Sequence, residues 1–187
     1  GRTDAGVHAY GQVAHFDLEK EVDEYKIREA INFYLNSTGI VIVEAEKVPE
    51  DFHARYDTKQ RHYVYKIFNR KARSPIYENR AWHFVQPLDE KKMQEAVNLL
   101  IGNHDFSTFR AAGCQSKSPI KTIDEITISR DGEFVYMEIS AKSVMYHQVR
   151  NIIGTLTMVG DGRWTVDESK NALEACDRTK GGITAPA

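Results

Sequence analysis

The chain predicts an α+β fold whose two related halves share one largely antiparallel, mixed sheet. Three observations carry this. Runs of period-two alternation are interspersed with apolar stripes of period 3.6, an Asp131-Gly132 pair separates two alternating runs, and a long helical stripe stands on each side of that hairpin.

Taken in order, the first eight residues are Gly1-Arg2-Thr3-Asp4-Ala5-Gly6-Val7-His8, where two glycines bracket one carboxylate. The backbone bends there and Asp4 stands clear of its neighbours. From Val13 to Leu18, Ala14, Phe16 and Leu18 alternate with His15 and Asp17, the period of a half-buried strand. Next, Ile27, Ala30, Ile31, Tyr34 and Leu35 share one helical face, with Asp23 as the cap and residues 36–39 as the stop. This helix is expected to pack on a sheet. Ile40 to Val43 is β-branched and reads as a second strand, continuing toward Lys47 and ending before Pro49.

Arg61 to Asn69 alternates cleanly, with Tyr63, Tyr65 and Ile67 on one face and Val64, Lys66 and Phe68 on the other. Asp89 caps a helix carrying Met93, Ala96, Val97, Leu100 and Ile101, closed by Gly102. The span from His104 to Ser118 reads as a polar, flexible loop of the length that carries function. Thr122 to Ser129 and Glu133 to Ser140 form strands joined across Asp131-Gly132. Met145, Val149, Ile152, Ile153, Leu156 and Val159 then follow one helical face, with Tyr146 and Arg150 four apart beside it. Thr165 and Glu168 make a capping box for a last helix, and the chain runs out through Ala185-Pro186-Ala187. A ferredoxin-like unit runs β-α-β-β-α-β, so two such halves, residues 1–70 and 71–187, account for the order, the first lacking its beginning.

A length of 187 residues with 41% hydrophobic side chains is enough to bury a core. Lys and Arg (25) nearly balance Asp and Glu (27), so an RNA surface has to come from segregated charge. Such segregation lies between Lys59 and Arg80, where Lys59, Arg61, Lys66, Arg70, Lys71, Arg73 and Arg80 face a single acid, Glu78. Cys114 and Cys176 stand far apart and outside any C-x-x-C pair, which fits a reducing, cytoplasmic setting without disulfides or zinc. The seven histidines have no metal-like spacing, no metal or organic cofactor is expected, and no apolar run is long enough to span a membrane. The absence of an initiating methionine leads us to expect a fragment.

Several separated motifs then agree. G-R-T-D-A-G-V-H-A at residues 1–9, D-F-H-A-R-Y at 51–56 running into R-H-Y-V-Y at 61–65, and Y-H-Q-V-R-N-I-I-G at 146–154 resemble the signature blocks of the TruA-type tRNA pseudouridine synthases. D-F-S-T-F-R at 105–110, with C-Q-S at 114–116, is similar to a further block of the same enzymes. The resemblance covers essentially the whole chain. It implies a pseudouridine-synthase fold of two ferredoxin-like halves around a central cleft, a homodimer that grips tRNA, and isomerisation of uridine to pseudouridine in the anticodon stem-loop without metal or cofactor. By the same resemblance Asp4 is the catalytic aspartate, Arg2 displaces and replaces the flipped base, Tyr63 packs on the target uracil, and Arg150 pairs with Asp4. Two departures are visible: Val144 stands where the family carries an aromatic, and the family's opening strand and helix and its closing strand are not in this chain.

The chemistry suits those residue types. Asp4 acts ionised, either as a nucleophile at the ribose or base or as the base that starts glycosidic cleavage, and sequence leaves both open. An arginine stays charged and grips a carboxylate through a planar fork, so lysine at 150 is a poor substitute. Tyr63 offers a flat face, with a hydroxyl available for removal of the C5 proton. For the RNA backbone, Arg61, Arg70, Arg73, Arg110 and Lys117 are the candidates, in the basic span and in the loop after Phe106. Two rivals remain: a non-catalytic RNA-binding module of ferredoxin-like fold, and a hydrolase pairing Asp4 with His8. The first gives no reason for Asp4 together with Arg150; the second lacks a second carboxylate or metal.

Overall fold

The computed structural model describes residues 3–187. They fall into two compact units, residues 10–58 and a larger unit of residues 3–9 with 59–187.

In the larger unit the core is a four-stranded sheet. In chain order the strands are β1 (Arg61–Asn69), β2 (Trp82–Phe84), β3 (Gly102–Asp105), β4 (Ile120–Ile123), β5 (Glu125–Asp131) and β6 (Phe134–Ala141). Strand β1 pairs antiparallel with β6 and parallel with β2. The sheet runs β2-β1-β6-β5 and is therefore mixed, while β3 and β4 pair separately as an antiparallel ribbon. The β5–β6 hairpin closes on Asp131 opposite Phe134, which leaves Gly132 and Glu133 as its loop, and Gly132 takes a φ of +54° that a side chain resists.

Three helices belong to this unit: α2 (Glu90–Asn98), α3 (Gln148–Gly160) and α4 (Val166–Glu174). Asp89 caps α2 by accepting from the Lys91 and Lys92 amides, and Thr165 with Glu168 forms the reciprocal capping box of α4, both as expected. Met93 and Val97 of α2 and Ile152, Ile153, Leu156 and Val159 of α3 close over Ile67, Val135, Met137 and Ile139 of the sheet. Ten of the thirteen α3 residues are buried, so this helix is the centre of the core rather than its cover.

Several expectations shift. The run 122–129 is two strands, because the chain turns at Asp124 between a ladder with β3 and one with β6. Helix α2 ends at Asn98, and Gly102, with φ of +101°, opens β3 instead of closing the helix. The span 104–118 is less of a loop than its composition suggests: it starts inside β3, and Phe106 and Phe109 are buried in the core. Helix α3 begins at Gln148, so Met145 and Tyr146 lie in the turn before it.

Residues 10–58 contain one helix, α1 (Glu24–Leu35), with Asp23 accepting from the Lys26 amide as its cap. None of its residues is buried, which corrects the expectation that it packs on a sheet. Nor are 13–18 and 40–47 strands. Strands exist by pairing. Ile42 instead gives its N–H to Asn32 Oδ1 at 2.7 Å and accepts from Asn32 Nδ2 at 2.9 Å, so a side-chain amide occupies the groups that a ladder needs.

Candidate active site

The turn at residues 4–7 is closed by the Val7 amide on the Asp4 carbonyl at 3.1 Å, and Gly6 within it sits at φ +87°. Only a residue without Cβ takes that conformation freely, which explains the glycine after Asp4. A Cβ there would also stand 3.3 Å from the Ala187 side chain.

Arg150 is the third residue of α3, and its Nη1 lies 3.0 Å from Asp4 Oδ2, across 146 positions of sequence. Its Nε donates to the Ala185 carbonyl at 2.8 Å, and the Ala185 amide returns a bond to the Arg150 carbonyl at 3.1 Å. One guanidinium thus joins the Asp4 turn to the chain's last residues. The fork expected on the carboxylate is instead shared between carboxylate and backbone.

That last segment lies against α3 because α3 makes room for it. A Cβ on Gly154 would fall 1.9 Å from the Ile183 carbonyl oxygen, so the glycine of Y-H-Q-V-R-N-I-I-G permits backbone to touch helix. Asn151 of the same motif accepts from Thr184 Oγ1 at 2.6 Å and from Arg178 Nη2 at 3.2 Å, and donates to the Phe109 carbonyl at 2.8 Å. Tyr65 donates its hydroxyl to the Pro186 carbonyl at 2.7 Å, and burial pushes that phenol far upward, keeping it a donor.

Tyr63 points from the same face of β1. Burial raises its phenol above the ordinary value, the Arg61 charge lowers it, and the Asp4 carboxylate raises it again, so the hydroxyl is protonated at neutral pH and within the field of Asp4. The structure therefore joins Asp4 to Arg150 and leaves Tyr63 within electrostatic reach of Asp4. Arg2 lies outside the described residues.

The basic candidates separate. Arg61 donates through Nη1 to the Lys142 carbonyl, beside Tyr63. Arg70 pairs with Glu133 at 3.0 Å, donates to the Ala72 carbonyl and covers the Phe68 ring. Arg110 holds its own loop by donating to the Cys114 and Ser116 carbonyls. Arg73 and Lys117 are exposed.

Sequence reasoning passed over His147, whose Nε2 lies 3.2 Å from Asp4 Oδ2. The signal was present, since His147 and Arg150 are three apart at a helix start and so share a face. It also passed over residues 183–187. His8, paired with Asp4 in the hydrolase reading, lies on the Asn79 carbonyl at 3.0 Å instead. Among the described residues no group of His, Cys, Asp and Glu is arranged to hold a metal, and no helix is long and apolar enough to cross a membrane.

A family model described as tRNA pseudouridine synthase matches residues 96–187. Over 187 residues the chain is 49% identical to the tRNA pseudouridine synthase A of Paramagnetospirillum magneticum, covering all of this chain and 73% of that protein. It is 47% identical over 186 residues to its namesake in Rhodospirillum rubrum, covering 67% of it, and 48% identical over 187 residues to that of Xanthobacter autotrophicus, covering 76%. Identity near one half along the whole of this chain leaves one conclusion: it belongs to the tRNA pseudouridine synthase family.

Proposed function

We propose that this tRNA pseudouridine synthase acts on a uridine of the anticodon stem-loop, with Asp4 as the catalytic carboxylate. The observation that carries the reading is the partly buried Arg150–Asp4 pair at 3.0 Å. The isomerisation breaks the bond between N1 and the ribose C1′, turns the uracil over, joins C5 to C1′, and moves the C5 proton to solvent while N1 gains one. Nothing is oxidised or reduced. A carboxylate is the group this needs, either to attack or to accept a proton, and Arg150 holds it in place. Tyr63 supplies the flat surface against the flipped uracil, in exchange for the stacking that the base gives up. Arg2 is assigned to displacing that base, and Arg61, Arg70, Arg73, Arg110 and Lys117 to the RNA backbone.

The finer architecture belongs to the same reading: two ferredoxin-like halves, residues 1–70 and 71–187, in a cytoplasmic homodimer. Its support is the succession β2, α2, β5, β6, α3, which follows a β-α-β-β-α order in the second half once the β3–β4 ribbon between α2 and β5 is taken as an insertion.

Asp4→Asn tests the assignment. In an assay for pseudouridine in unmodified tRNA, this variant is expected to lose turnover by about 10³-fold or more while tRNA binding persists. Full turnover by Asp4→Asn would remove Asp4 from the chemistry.

A further inference from the structure

We infer that His147 is a positioning residue for Asp4: its imidazole stands against Oδ2 beside the Arg150 guanidinium and limits how the carboxylate can turn. This rests on the reading of Asp4 as the catalytic carboxylate.

Both contacts fall on one atom. Arg150 Nη1 donates to Oδ2 at 3.0 Å, and His147 Nε2 stands within ion-pair distance of the same atom at 3.2 Å. One donor fixes a distance but lets the carboxylate rotate about its Cβ–Cγ bond. A ring standing against the same oxygen limits that rotation.

The backbone of the turn is arranged to present this ring. His147 occupies the position before α3, where a side chain ordinarily caps the helix, yet it makes no capping bond, and it adopts φ +59°, uncommon for a residue with a Cβ. Strain of this kind persists where surrounding structure enforces it. Here the enforcement is visible. The fully buried Gln148 accepts from the Met145 amide at 2.8 Å through Oε1 and donates its own amide to the Met145 carbonyl at 3.1 Å. The Tyr146 carbonyl accepts from Ala111 at 3.4 Å, and the His147 carbonyl accepts from Asn151 at 2.8 Å. The Tyr146 ring lies against the imidazole, with centroids 3.8 Å apart. Gln148 Nε2 is left without a partner among the described residues, a cost that stability alone would not keep.

The test is steady-state pseudouridine formation in unmodified tRNA by the wild type, His147→Gly, His147→Gln and Asp4→Asn, with thermal unfolding of each. Glycine accepts the left-handed backbone without strain, so His147→Gly removes the ring from beside Oδ2 and leaves the turn. We expect its kcat to fall by about 10- to 100-fold with KM for tRNA and Tm unchanged, as for a misaligned reacting group. His147→Gln restores a polar side chain at that position and is expected to recover part of that loss. Unchanged kcat in His147→Gly, while Asp4→Asn is inactive, overturns the inference alone. A loss confined to KM also overturns it, making His147 an RNA contact. Full activity of Asp4→Asn removes the reading beneath it and the inference as well.

Discussion

Residues 10–58 and residues 59–187 carry the same kinds of pattern, and only the second region converts them into packed structure. Phe16 and Leu18 alternate with polar residues as Tyr65 and Ile67 do, yet the first pair is 58% and 52% exposed whereas Ile67 is fully buried. Helix α1 has an apolar stripe and a good cap, like α2, but α1 buries none of its residues and α2 buries Met93, Ala96 and Val97. Among the described residues of 10–58, Ala54 is the single buried one. Patterning states which face seeks burial. A facing surface decides whether burial occurs, and most helix stability comes from that contact rather than from propensity.

Paired core deletions are the hardest test of this contrast. Ile153→Ala removes a fully buried side chain from α3 and is expected to cost about 2–5 kcal/mol in denaturant unfolding. Phe33→Ala in α1, at 77% exposure, is expected to stay within about 0.5 kcal/mol. Equal losses would show that 10–58 is as tightly packed as the rest. Arg150→Lys probes the site that the larger unit builds. An ammonium lacks the planar pair of N–H groups that ties Asp4 and the Ala185 carbonyl in one fixed geometry, so turnover should drop by about 10²-fold with tRNA binding retained. Retained turnover would mean that the tie to Ala185 is dispensable.

Gly154→Ala drives a methyl group into the Ile183 carbonyl and should destabilise by about 1–3 kcal/mol. It should also lower turnover, since residues 183–187 hold Arg150; a stable, fully active variant would uncouple them. The smallest effect is electrostatic. The Arg130 side chain, 2.9 Å away, is the main cause holding the Glu90 carboxyl below its ordinary value, with a further contribution from the Glu90 backbone amide. A depressed folded pKa contributes stability above the unfolded value and loses it as pH falls through the folded one. Acid titration of Arg130→Gln should therefore be flatter below about pH 4.5 than that of the wild type. Identical acid titrations would show that the pair adds nothing.

Much of the larger unit was legible. β1 runs from Arg61 to Asn69 as its alternation predicts, and the caps at Asp23, Asp89 and Thr165 are where their side chains indicated. What failed was whatever depended on a partner: 13–18 and 40–47 as strands, the short parallel β2, and the β3–β4 ribbon hidden in a polar stretch. For the site, the motifs name Asp4, Arg150 and Tyr63, and the geometry pairs the first two. The histidines have no metal-like spacing in sequence, so nothing there singles out His147.

By itself the sequence determined the α+β class, the capped starts of α1, α2 and α4, the β5–β6 hairpin and the residue types of the site, since these depend on local periodicity, capping and turn chemistry. Only the tertiary structure decided that one guanidinium spans Asp4 and Ala185, that Gly154 admits the Ile183 backbone, and that a left-handed His147 reaches Asp4. Those contacts join residues far apart in the chain, and the distance between two such side chains is fixed by how the elements pack, which no local pattern encodes.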